Sequence, residues 1–240
     1  MAYQTTFERY EIKYLLTAQQ KEQLLRAMRG HMQLDQFGRS TIRNIYYDTD
    51  TFRLIRRSLE KPAYKEKLRI RSYQRAESND PVCVELKKKF QSVVYKRRLV
   101  LPEEQAMTSF RTGDALPVQS QIADEIEYFR AYYRTLRPAV FLSYEREAFY
   151  ALDGSDFRIT FFDENILYRC RDFSLGSPIY GIPLLTGGQT LMEIKTSGGM
   201  PLWMTHALTE HCIFHTSFSK YGAAYQNMLD TQFSGGLLYA

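Results

Sequence analysis

The chain has 240 residues, 44% hydrophobic and 25% charged, with a formal charge of +5 and a sequence pI of about 9.0. That balance is ordinary for a globular protein and excludes collagen-like and low-complexity classes. No apolar run approaches the roughly 20 residues of a membrane helix, and MAYQTTFERYEIKY lacks the apolar core and cleavage site of a signal peptide, so the expected location is the cytoplasm.

In chain order, alternation of apolar and polar residues predicts strands over residues 6–15, 41–48, 64–74, 81–90, 93–101, 139–149, 156–162 and 190–196. Helical patterns separate and follow them. Thr17 with Gln20 has the form of a capping box. Ile122, Ile126, Phe129 and Tyr133 recur at helical spacing, Pro201 suits the first position of a helix, and Ser219 can cap a last helix over 220–229. The close spacing of strands 64–74, 81–90 and 93–101 predicts an antiparallel meander. The reading is one α+β domain over residues 1–240, mainly antiparallel, with helices packed on the sheet.

Charge is distributed unevenly along these strands. In KLRIRSY, Lys67, Arg69 and Arg71 share one strand face while Leu68 and Ile70 take the other. The same period places Arg9, Glu11 and Lys13 together, then Glu85, Lys87 and Lys89, then Lys96 and Arg98. Arg146 joins Tyr144, Arg158 sits between Phe157 and Ile159, and Glu193 joins Lys195. Cations on this face far outnumber its three carboxylates, Glu11, Glu85 and Glu193, while the rest of the chain is net acidic. A dry, unpaired face of this kind would cost more than a domain's net stability of about 5–15 kcal/mol. It must be wet, and a polyanion satisfies it best, because arginine pairs with phosphate bidentately and lysine acts as a point charge. A carboxylate among so many cations makes sense if it holds a divalent metal bridging phosphate oxygens.

Other features carry less. Cys83, Cys170 and Cys212 are scattered, with no C-x-x-C pair, which argues against disulfides and structural zinc. His211 and His215 are four apart, but the sequence between them reads as a helix end. No P-loop pattern is present.

The ordered set RYEIKY, IYYDT, KLRIRSY, VELKKK, YKRR, YEREAF, FRITFF, MEIKTSG and FSKYG resembles VTC-type polyphosphate polymerase domains of the triphosphate tunnel metalloenzyme superfamily. The resemblance implies an eight-stranded antiparallel β-barrel tunnel with helices packed around it. It also implies transfer of the γ-phosphate of ATP to a growing polyphosphate chain. By motif, Lys13, Arg69, Arg71, Lys87, Lys96, Arg98, Arg146 and Arg158 would grip phosphates. Lys67 and Lys195 join them through the shared strand faces, Tyr144 adds a hydroxyl, and Ser219 and Lys220 add contacts at the start of the last helix. Arg69, Arg71, Lys87 and Arg146 are the candidates for direct work on the transferred phosphoryl group. Glu193, with Glu11 and Glu85, would hold Mn²⁺ or Mg²⁺.

Two departures from the family pattern stand out. Arg9 replaces the first glutamate of E-x-E-x-K, and Ser217 stands where a lysine precedes the FSK serine. The expected partners are ATP and inorganic polyphosphate or triphosphate, with no nucleic acid and no membrane segment in this chain. A triphosphatase and a non-catalytic polyphosphate- or nucleotide-binding module are the competing readings. An RNA-binding domain is disfavoured, since no aromatic stacking motif accompanies the cations.

Overall fold

A computed structural model describes residues 10–91, 93–163 and 165–236, without the side chains of residues 232–236. Arg9 lies outside the described residues. The elements run β1 (Tyr10–Leu16), α1 (Ala18–Ala27), β2 (Met32–Asp48), α2 (Arg53–Leu59), β3 (Tyr64–Ser72), β4 (Pro81–Phe90) and β5 (Val93–Pro102). They continue α3 (Glu103–Thr112), α4 (Gln121–Tyr133), β6 (Arg137–Ala151), β7 (Arg158–Phe162), β8 (Leu167–Arg169), β9 (Ile182–Pro183) and β10 (Thr190–Thr196). The last are α5 (Leu202–Glu210), β11 (His215–Thr216) and α6 (Lys220–Gly236). No helix among the described residues is long and apolar enough to cross a membrane.

The α+β, antiparallel reading holds, but the barrel of eight strands does not. Eleven strands share one sheet in the order β11-β1-β10-β7-β6-β2-β3-β4-β5, with β8 on β6 and β9 on β8. The sheet is not closed: among the described residues the end strands β11 and β5 do not pair with each other. Lys96, Arg97 and Arg98 follow one another on β5, and charge on an edge strand opposes further pairing. The added strands β8, β9 and β11 have only two or three residues, too short for an alternation pattern to show.

The chain divides into two compact units. One comprises Met1–Thr41, Tyr144–Ile166 and Pro183–Phe218. Its core joins Tyr14 and Leu16 of β1, Ile159 and Phe161 of β7, and Met192 and Ile194 of β10 to Leu24 of α1 and Met204 of α5. The predicted capping box opens α1, with Thr17 and Gln20 exchanging side-chain and backbone bonds. Pro201 serves as the N-cap of α5, one position before its expected place.

The second unit comprises Ile42–Ser143, Leu167–Ile182 and Ser219–Ala240. Its core joins Ile45, Leu68, Ile70, Val82, Val84 and Leu86 of the sheet to Leu54 of α2, Ala106 of α3 and Ile126 and Phe129 of α4. The meander β3-β4-β5 is present, with β4 over the predicted residues 81–90. Because alternate residues of β3 and β4 are spent on this core, Lys65, Lys67, Arg69 and Arg71 of β3 and Glu85, Lys87 and Lys89 of β4 point to the opposite face.

Candidate functional site

Strand register in the second unit sets the charged side chains in rungs. Lys67, Lys87 and Lys96 lie opposite one another across β3, β4 and β5, and Arg69, Glu85 and Arg98 form the next rung. Asn44 and Tyr46 of β2 pair with Arg71 and Arg69. Glu85 is the centre: 1% exposed, it takes Arg69 at 2.7 Å, Lys96 at 2.8 Å and Arg98 at 2.6 Å, with Arg71 at 3.9 Å. Burial alone would raise its carboxyl, but the charges of Arg69, Arg71 and Lys96 overcome that and hold it well below the usual range.

Two residues that the sequence reading passed over order this cluster. Arg71 donates to Asn44 Oδ1 at 2.8 Å, and Arg69 donates to the Tyr46 hydroxyl at 2.8 Å. Burial of Tyr46 opposes ionisation, yet Arg69, Lys67 and Arg71 bring its hydroxyl down to about 8. Lys96 is also lowered to about 8, by burial, and by Arg98 and Arg71 acting against Glu85. The alternation in RNIYYD held the signal, since Asn44 and Tyr46 take the face opposite Ile45 and Tyr47.

Lys67 donates to Ser219 Oγ at 3.1 Å, and the same hydroxyl accepts the Gly222 amide at 3.1 Å, capping α6. Lys220 follows as the first residue of that helix. A helix N-terminus carries partial positive charge, so Lys67 and α6 favour an anion together.

In the first unit the pattern is mixed rather than cationic. Glu11 pairs with Lys195, and Lys13 with Glu193, across β1 and β10. Lys13 Nζ lies 3.2 Å from Glu11, 3.6 Å from Glu193 and 2.9 Å from the Phe218 carbonyl, while Lys195 lies 3.3 Å from Glu193. Arg158 of β7 lies opposite Lys195 and is exposed. Arg146 of β6 lies opposite Phe162, against whose ring Tyr144 packs edge-on at 5.2 Å between centroids. His211 caps α5 and His215 is in β11, so they share no helix face. Ser217 is exposed.

Residues 8–229 match the VTC domain family. The fold is similar to that of a candidate adenylate cyclase from Bacillus halodurans, at 15% identity and a TM-score of 0.53 over 87% of this chain and 92% of that one. It is also similar to HpAC1 from Hippeastrum, a candidate adenylyl cyclase with a dominant triphosphatase activity. The identity is 14% and the TM-score 0.56 over 90% of this chain and 95% of that one. No curated protein matches the chain.

Proposed function

Because the chain belongs to the VTC domain family, we propose that it is an ATP-dependent polyphosphate polymerase. The observation that carries the reading is the set of cationic rungs Lys67–Lys87–Lys96 and Arg69–Glu85–Arg98 with Arg71 beside them. Phosphoryl transfer needs positioning and charge neutralisation more than covalent help from the protein. A terminal phosphate oxygen of the acceptor chain forms a bond to the γ-phosphorus of ATP, the bond from that phosphorus to the β–γ bridging oxygen breaks, and ADP leaves. The acceptor oxygen is already ionised near neutral pH, so no general base is required. Arg69, Arg71 and Lys87 neutralise charge on the transferred group in the second unit, with Lys67, Lys96, Arg98, Ser219 and Lys220 holding flanking phosphates. In the first unit, Lys13, Arg146, Arg158, Lys195 and the Tyr144 hydroxyl take the same role.

The donor set fits a divalent ion that arrives with its substrate. Among the described residues no three acidic, histidine or cysteine side chains converge as a metal site. Glu193 and Glu11 flank Lys13 on neighbouring strands and would supply two carboxylates to Mn²⁺ or Mg²⁺. Phosphate oxygens and water complete such a shell, and the ion supplies further neutralisation of phosphate charge. Glu85 fits that role less well, because Arg69, Lys96 and Arg98 hold its oxygens at 2.6–2.8 Å, whereas the lysines beside Glu193 stand off at 3.3 and 3.6 Å.

The same face would serve a triphosphatase if water replaced the acceptor, the activity described for the Hippeastrum neighbour. Incubation with ATP and Mn²⁺, followed by gel separation of products, distinguishes these. A polyphosphate ladder from the parent chain and none from Glu193→Gln is the expected result. Free phosphate without polymer would replace the polymerase with a triphosphatase, and unchanged ATP would leave a binding module.

A further inference from the structure

The cationic face of the second unit is not uniform from end to end. Strand register orders it in rungs across β3, β4 and β5: Lys67, Lys87 and Lys96, then Arg69, Glu85 and Arg98, then Arg71, Cys83 and Val100. Pro81 and Pro102 form the next step on β4 and β5. Tyr73 follows the end of β3, two residues past Arg71, and so continues the same stripe. Arg98 fixes its position by donating to the Tyr73 hydroxyl at 2.7 Å. Cations therefore fall along the face from three to two to one, and the stripe ends on an aromatic ring and prolines.

The weakly charged end is open to solvent. Val100 is 56% exposed and Tyr73 39%. Val100 lies on this face because its neighbours Leu99 and Leu101 are spent on the core. The guanidinium carbons of Arg71 and Arg98 stand over the Tyr73 ring, 5.8 and 5.7 Å from its centroid. Aromatic rings and guanidinium planes both stack nucleic-acid bases, and they do so with little regard to which base it is. A bare phosphate chain gains nothing from Tyr73 or Val100. A ligand that carries a flat aromatic group at one end of its phosphates uses both.

We propose that Tyr73 and Val100, with the guanidinium planes of Arg71 and Arg98, seat the base of the nucleoside triphosphate, and that this seat sets the direction in which the nucleotide lies. The inference rests on the proposed function and adds to it a base-binding residue and a polarity. With the base at Tyr73, the triphosphate runs along the stripe and its γ-phosphate points toward Lys67, Lys87 and Lys96. Lys67 also donates to Ser219, the cap of α6, so the acceptor chain meets the γ-phosphate from that side. Tyr73 is the residue that separates a nucleotide from a bare polyphosphate. Without it the remaining cations treat the two ligands alike.

Calorimetric titration of the full chain with ATP and, separately, with tripolyphosphate tests it, both without metal so that neither is consumed. Tyr73 is exposed and outside the core, so its variants keep the fold. Tyr73→Ala should weaken ATP about tenfold or more and leave tripolyphosphate within about twofold of the parent. Tyr73→Phe keeps the ring and loses the bond from Arg98, and it should restore most of the ATP affinity lost in Tyr73→Ala. Unchanged ATP affinity in Tyr73→Ala would overturn the proposal. An equal loss for both ligands would also overturn it and leave Tyr73 as a support for Arg98. A parent that binds tripolyphosphate but not ATP would overturn the base seat alone. A parent that binds neither would overturn the phosphate reading on which the seat rests.

Discussion

Replacing Glu85 by glutamine removes the one negative charge around which Arg69, Arg71, Lys96 and Arg98 are gathered. Breaking a buried ion pair from one side costs about 3–5 kcal/mol, because the remaining charge stays desolvated. The side chains of Arg69 and Arg71 are only 19% and 10% exposed and bear that cost. Lys96 and Arg98 are about two-fifths exposed, and solvent screens their share. In a chain of this size each kcal/mol moves the melting temperature by about 2–4 °C, so Glu85→Gln should melt about 6–20 °C below the parent. Tripolyphosphate should restore more than it adds to the parent, since it no longer competes with the carboxylate for the same cations. At a hundredfold excess over Kd, binding returns about 2.7 kcal/mol, and a tighter Kd in the variant increases that. Scanning calorimetry with and without tripolyphosphate, in the absence of metal, reads both effects. A variant that melts with the parent and binds tripolyphosphate no more tightly would refute the role of Glu85 as charge anchor. An effect seen only with Mn²⁺ present would return it to the metal site.

Lys87→Ala removes a half-buried cation from the first rung and should weaken tripolyphosphate about tenfold in a calorimetric titration, with the melting temperature within about 2 °C of the parent. Glu193→Gln should keep tripolyphosphate binding and lose metal-dependent turnover, read by comparing titrations with product analysis. Ser219→Ala removes the cap of α6 and the acceptor of Lys67, costing about 1 kcal/mol in urea unfolding and weakening phosphate binding. Affinity for tripolyphosphate should fall between pH 7 and 9: below about 8 Lys96 is charged and Tyr46 neutral, and above it the face loses a cation and gains an anion. Ionisation of the ligand would strengthen binding over that range, so a flat or rising profile counts against the two groups.

Much of the fold was legible because burial and charge use the same period. Leu68 and Ile70 must meet a core, so Lys67, Arg69 and Arg71 must face away from it, and the short turns of the meander fix their neighbours on β4 and β5. Glu85 shows where that reasoning ends. Spacing places it among cations but cannot show that four of them converge on it, so a metal ligand and a charge anchor look alike in sequence. The first half of β2, MQLDQFGRS, lacks apolar alternation and includes Gly38 at φ +53°, and it was invisible for that reason. In the sequence Asn44 and Tyr46 look like any other strand residues, because their partners, Arg71 and Arg69, lie across a sheet pairing.

The proposed function requires these strand-face cations to bind a chain of phosphates. The direct measurement is a calorimetric titration of tripolyphosphate at several salt concentrations, on the parent and on a chain carrying Lys67→Ala, Lys87→Ala and Lys96→Ala together. The expected result is a loss of about a hundredfold or more in affinity and a shallower salt dependence in the triple variant, with the fold retained. Unchanged affinity and an unchanged salt slope in a folded triple variant would contradict it.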